Sequence, residues 1–487
     1  MTCLVVGMRR RSFVRSVVLA SVVAMVAAAS CSGDDAPYAV DGGELDGQVG
    51  ADAGILDATV PDVSLDATRD TSAPRDAADD GPNDATVDAE AGLDASLEGG
   101  ADASADASDA SLDAADAAPE IDIYDPALVP QFELTLDAAA LAILSNPSTV
   151  EADRKAWAHG TLRYGAEVYP DIGVRRKGSS TFRALPQKAA FKLRFDKYGG
   201  PKFHGLREIT LNNAMSDGTF LVERLAYHVF RGLGLPAPRC NSATLLINGA
   251  DYGVYVNVEA PDKVLMARLF GANAQSLYEV AYGSSWMGGE DAGFEEEVGD
   301  GTKADLQPLF ADVRAAQPAT LLNDVSAHLE TGRFVTFAAA EAVTGHIDGY
   351  GFGIWGSHNY FMASEKNGKF TLLPWSLDLT FSNNNGVVDV TQPKPANPSG
   401  AGTTLLQRCK TSPTCWPAYV AEVRRATTAY EGMGLLGLAQ TWHAQIDARA
   451  LADTKKELTN AAYAGETTKL MTWITNRPGV VRTQLGP

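Results

Sequence analysis

The chain has 487 residues and a formal charge of −21, with 45% apolar and 21% charged residues. Residues 34–120 carry 24 acidic side chains against two arginines, whereas 121–487 hold 34 basic and 37 acidic residues. The acidity therefore belongs to one segment, says nothing about the partners of the near-neutral remainder, and leaves no basic excess for binding nucleic acid.

Positions 1–31 read as a targeting segment. "RRRSFVR" precedes "SVVLASVVAMVAAAS", an apolar run too short to span a membrane comfortably, and then Cys31. Ala28, Ala29 and Ser30 before Cys31 resemble a bacterial lipoprotein cleavage site, which would anchor the chain to a membrane of the cell envelope through lipid on Cys31. The arginine pair with Phe13 also resembles a twin-arginine export signal. An ordinary cleaved signal with an incidental cysteine is the plainer alternative. Residues 32–120 follow as Ala/Asp repeats such as "ADASADASDASLDAADAA", too poor in apolar side chains to offset their ordering entropy, and are expected to be a disordered tether. Their aspartates lack the glycine-rich period of a calcium-binding repeat. Of five cysteines, Cys409 and Cys415 in "CKTSPTC" suit a local disulfide and Cys240 a buried thiol, and no Cys/His spacing supports zinc.

The folded region is expected over 121–487. "PQFELTL" (130–136) opens it with alternating apolar residues, and "TLRYGAEVYPDIGVRRKGSSTF" predicts strands ending in a turn at Gly178, Ser179 and Ser180. In "KAAFKLRF", Phe191, Leu193 and Phe195 face one way and Lys188, Lys192 and Arg194 the other. A helix follows Asp217 and stops at Gly232 and Gly234; Glu223 shares a stripe with Phe220, Tyr227 and Phe230. "SATLLING" and "DYGVYVNVE" pair through Asn248-Gly249. After a variable, acid-containing stretch (282–305) comes an apolar helix, "FVTFAAAEAVTGHIDGY", that ends in a polar loop. "NYFMAS" and "KFTLLPW" form a hairpin around Asn367-Gly368, and 417–487 is mostly helical with a break at Pro478. Asp378, in the apolar run "LLPWSLDLTF", needs a partner or a ligand to be buried there.

This order supplies the parts of a nucleotide-phosphorylating site. A glycine turn offers amides to phosphate, a strand lysine neutralises it, a helix glutamate fixes the lysine, and a catalytic aspartate with two metal ligands completes the set.

The segments "GVRRKGSS", "KAAFKLRF", "LVERLAYHVFRGLGLPAP", "LLINGADYGVYVNVEAPDK", "HNYFM", "LLPWSLDLTF" and "NRPGVVRTQL" resemble the spore coat protein H (CotH) kinase family over roughly 130–487. The resemblance implies an α+β, bilobal, atypical protein-kinase-like fold, with a β-rich N-terminal lobe (about 130–260) and a mainly helical C-terminal lobe (about 261–487). It also implies ATP with Mg2+ or Mn2+ as cofactors and Ser/Thr hydroxyls of proteins as acceptors. On it, Asp348 is the catalytic base, while Asn359 and Asp378 are metal ligands. Lys188 or Lys192 contacts phosphate, and Arg175, Ser179 and Ser180 lie over the nucleotide. Glu223 is the lysine's partner, and Glu259 sits at the hinge between the lobes. One departure is Ser376, where the family's run usually carries an acid; it points to the alternative of a non-catalytic pseudokinase scaffold in the envelope. A metal-dependent enzyme acting on surface glycan is a third reading. Each residue also has a structural alternative: Asp348 starting a turn, Asn359 capping a loop, the lysines solvated, Asp378 held by backbone amides.

Overall fold

A computed structural model describes residues 122–487 apart from 149, 290, 382–387, 398, 400 and 401. The targeting segment, Cys31 and the Ala/Asp tract lie outside the described residues. The fold is a mixed α+β arrangement built on two sheets.

Seven strands close into a barrel, ordered β1-β2-β3-β4-β5-β7-β6. They are β1 (Gln131–Thr135), β2 (Ala158–Tyr164), β3 (Glu167–Lys177), β4 (Ala190–Arg194), β5 (Glu208–Asn212), β6 (Cys240–Ile247) and β7 (Ala250–Glu259). Neighbours run antiparallel except β1 and β6, whose parallel pairing closes the ring. The period of two decides the inside: Val174, Phe191, Leu193, Ile209, Leu211 and Leu245 form one apolar cluster. Each such side chain contributes roughly 1.5–3 kcal/mol by leaving water. The opposite side of β3 and β4 puts Arg175 beside Lys192 and Lys177 beside Ala190. The alternation expected in "KAAFKLRF" is present, but the polar side is not solvated: Lys188 is 2% and Lys192 5% exposed.

The second sheet is antiparallel, in the order β11-β10-β8-β9, with β8 (Ala274–Val280), β9 (Phe294–Val298), β10 (Tyr360–Glu365) and β11 (Phe370–Pro374). The β10–β11 hairpin turns where expected, with Gly368 at φ +80°, a conformation that suits glycine. Strand β9, "FEEEV", lies inside the stretch read as variable, where three successive glutamates hide its strand character.

Helices cover the second sheet and the outside of the barrel. The helix Thr331–Thr344 buries ten of its residues and stops at Gly345, which takes a left-handed φ of +65°. Cys409 and Cys415 are joined in a disulfide and Cys240 is a buried free thiol. The break expected at Pro478 is absent, because one helix runs Asn460–Leu485. Tertiary packing overrides the proline: Arg477 and Val481 on either side are buried, and the Arg477 guanidinium donates to the carbonyls of Ala342 and Val388. Among the described residues no helix is long and apolar enough to cross a membrane.

Candidate functional site

A cavity of about 20 Å3 opens where the end of β3 meets the helix Val222–Gly232 and the turn after β11. Its walls include Lys177, Asn212, Glu223, Ser376 and Asp378. Lys177 is the last residue of β3, on the outward side that alternation sets, and Gly178 follows it at φ +93°. Its ammonium donates to Asn212 Oδ1 at 2.6 Å, and Asn212 Nδ2 donates to Glu223 Oε2 at 2.8 Å. The sequence therefore brings a strand lysine and a helix glutamate together through an amide. Asp217 fixes the helix start by accepting from Thr219 N and Val222 N, both at 2.8 Å, which sets where Glu223 stands. Burial pushes the Glu223 carboxyl up to about 7, against the lowering effects of the Asn212 hydrogen bond and of Lys177.

Asp378 lies in a single helical turn, Leu377–Leu379, directly after β11. It is half-buried and shares the cavity wall with Lys177. Ser376 Oγ donates to Asp378 Oδ1 at 3.1 Å. Ser376 itself takes φ +48°, a conformation unusual for a side-chain-bearing residue and one that recurs where the surroundings dictate geometry.

Asp348 sits in the loop after the helix Thr331–Thr344. Glu341 of that helix holds the loop by accepting from the amides of Tyr350 and Gly351, both at 2.7 Å. Asn359, at φ +56°, donates to Asp348 Oδ2 at 2.7 Å and to the Asp348 carbonyl at 2.9 Å. His358 Nε2 lies 2.9 Å from Asp348 Oδ1. Backbone bonds bring this group beside the Asp378 turn: Ile347 N donates to Leu379 O at 3.2 Å, and Trp375 N to Asn359 O at 3.3 Å. Asp348 and Asn359 are almost fully buried, and neither belongs to the cavity wall.

The other expected site residues have different surroundings. Lys188 donates to buried Asp453 and lies near the Phe220 and Tyr255 rings. Burial pushes its ammonium down to about 8 despite that partner. Lys192 lies 3.9 Å from Glu208 Oε1, and Arg175 stacks over Trp157 at 5.0 Å. Neither lysine lines the cavity. Lys192 and Arg175 both act on Glu297 of β9, whose carboxyl burial nevertheless pushes up to about 7. Ser179 and Ser180 follow Gly178 at the cavity's edge but are not in its wall. Glu259 bridges two arginines, accepting from Arg239 at 2.9 Å and from Arg268 Nε at 2.8 Å. Lys177 and Asn212 were missed by sequence reasoning, and His358 reads from the sequence as structural rather than catalytic. For Lys177 a signal existed: the outward register of β3, one residue before a glycine turn.

With this geometry in place, a family model described as CotH kinase protein matches residues 174–481. The chain belongs to the CotH family. The inner spore coat protein H of Bacillus subtilis (strain 168) is 26% identical over 225 residues, covering 43% of this chain and 59% of that protein. An inner spore coat protein H-like protein of the same organism is 33% identical over 79 residues, covering 16% of this chain and 24% of the relative. The chain thus spans less than two thirds of either relative. The CotH match begins within β3, so β1 and β2 precede it.

Three oxygen donors of this CotH chain are of the kind a hard cation takes, two on the cavity wall and one, on Asn359, outside it. Asp378 offers a carboxylate, Ser376 a hydroxyl, and the buried Asn359 Oδ1 has no hydrogen-bond partner. Among the described residues no three His, Cys, Asp or Glu side chains group closely enough to hold a metal ion. Asp378 is the residue that would hold a divalent ion there, and such ions are usually bound by only one or two protein carboxylates.

Proposed function

We propose that this CotH family member is a bilobal, kinase-like phosphotransferase that moves the γ-phosphoryl group of ATP to Ser or Thr hydroxyls of proteins. The barrel and its flanking helices form the N-terminal lobe, and the second sheet with the remaining helices forms the other. The observation that carries the reading is the Lys177–Asn212–Glu223 chain sharing one cavity with Asp378. Lys177, rather than Lys188 or Lys192, then neutralises phosphate, and Glu223 holds it in place through Asn212. Asp378 and Asn359 would hold Mg2+ or Mn2+, which supplies charge neutralisation on the phosphate oxygens when bound. Asp348, oriented by His358 and Asn359, takes the acceptor proton. Positioning and electrostatics, more than covalent chemistry, account for the rate. By its first 31 residues the chain would be exported and lipid-anchored at Cys31 in a bacterial envelope, with surface proteins as acceptors.

A non-catalytic scaffold is the second reading, and two observations favour it. A volume of about 20 Å3 is that of one water, so a nucleotide requires the walls to part. In addition, Ser376 stands where an acid was expected, and Asp348 Oδ2 is already held by Asn359. Thermal unfolding of the full chain separates the readings. ATP with Mg2+ at a hundred times its Kd should stabilise the fold by about 2.7 kcal/mol. No shift at millimolar ATP and Mg2+ would favour the scaffold.

A further inference from the structure

We propose that Trp375 is a positioning residue for the phosphate-binding lysine, the face of its indole ring holding the Lys177 ammonium where phosphate is to be met. The inference rests on the phosphotransferase reading above and adds to it the group that aims the lysine. Lys177 and Trp375 share the cavity wall, and Lys177 Nζ lies 5.5 Å from the centroid of the Trp375 ring. That is within reach of a cation–π attraction, and indole is the ring that attracts a cation most strongly. Lys177 ends β3 of the barrel, whereas Trp375 directly follows β11 of the second sheet. The contact therefore joins the two sheets across the cavity.

The ring is itself fixed. Trp375 is buried and packs edge-on against Phe361 of β10, with centroids 5.5 Å apart and planes at 80°. Its backbone N donates to the Asn359 carbonyl at 3.3 Å, a bond that survives replacement by Phe or Leu, so such variants report on the ring. A ring also serves where a directly bonded carboxylate would not. It attracts the ammonium without occupying one of its N–H donors and without cancelling the charge that phosphate has to meet. Asn212, which accepts from the lysine at 2.6 Å, is neutral as well. Two neutral contacts thus restrict a flexible four-carbon stem to one place and keep its charge for a ligand. The cavity has room for about one water, so solvent screens the contact little.

The test is a double-substitution cycle read by calorimetric titration of ATP, with Mg2+ present, into the full chain. Trp375→Phe and Trp375→Leu are each made with Lys177 in place and with Lys177→Met. With the lysine present, Trp375→Leu is expected to raise the Kd for ATP roughly 2- to 30-fold, the span from an exposed to a desolvated cation–π contact. Trp375→Phe should raise it less, because a ring remains. In the Lys177→Met chain neither substitution should change the Kd further. The Kd is taken per competent site, so a loss of stability from trimming a buried indole does not register. Should Trp375→Leu not fold, the Phe arm of the cycle makes the same comparison. Equal losses with and without the lysine, or no loss with the lysine present, overturn the inference and leave the phosphotransferase reading intact. An unsubstituted chain that binds no ATP at millimolar concentration overturns the inference and that reading together.

Discussion

Lys177→Met should lower ATP-dependent phosphate transfer by about 10²-fold or more, the typical cost of losing one positioned charge donor, and leave thermal unfolding nearly unchanged. Lys177 closes one wall of the cavity and bonds Asn212, so its loss removes the only lysine in that wall among the described residues. The fold should tolerate the change because Glu223, already pushed up to about 7 by burial, can take a proton when its cationic neighbour goes. Lys188→Met should behave in the opposite way. Transfer per folded molecule should persist while the fold weakens, because Lys188 is committed to Asp453. Steady-state rates and unfolding curves on both variants check the assignment. Equal loss of transfer in the two, at equal stability, would mean that the lysines have been wrongly distinguished.

Asp453→Ala should destabilise the chain by about 3–5 kcal/mol, the usual cost of stranding one member of a buried ion pair. Asp453 ends the helix Leu435–Ala452 and is 3% exposed, and Lys188 lies 265 positions away in sequence. One carboxylate oxygen accepts from the amides of Lys455 and Lys456, at 2.8 and 3.0 Å, while the other takes the lysine. The pair thus ties the C-terminal helices to the barrel. The Asp453 side chain also fills the space over Gly253, where an added Cβ would meet it at 2.0 Å. A Lys188→Met, Asp453→Leu double variant should regain much of the loss, since two apolar side chains leave no charge unpaired. Denaturant unfolding of Lys188→Met, of Asp453→Leu and of the double measures the coupling; additive losses would mean that the pair does not act as a unit.

Sequence carried the local structure well and the long-range pairings poorly. Alternation in "KAAFKLRF" gave the buried sides of Phe191 and Leu193, Asn367-Gly368 gave a hairpin, and the six-residue spacing of Cys409 and Cys415 gave a disulfide. These signals lie within a few residues of one another. Glu223 could be placed on a helix face, but its link to Lys177 passes through Asn212, on a strand that is not adjacent to β3. Nothing in the pattern around residue 188 announces Asp453, and nothing around Glu259 announces both Arg239 and Arg268. Asp348, Asn359 and Asp378 were grouped by family resemblance, not by spacing. The structure bonds Asn359 to Asp348 and lays their loop beside the Asp378 turn, while only Asp378 of the three lines the cavity. The same limit explains β9: three glutamates in a row read as loop until β8 supplies the pairing.

Labelled ATP offered with Mg2+ or Mn2+ to the purified chain, to Asp378→Ala and to Asp348→Ala tests the central claim most directly. The account predicts label on the wild-type chain or on a Ser-rich peptide, none with Asp378→Ala, and at least about a 10²-fold reduction with Asp348→Ala. Label transfer that survives both substitutions would contradict it.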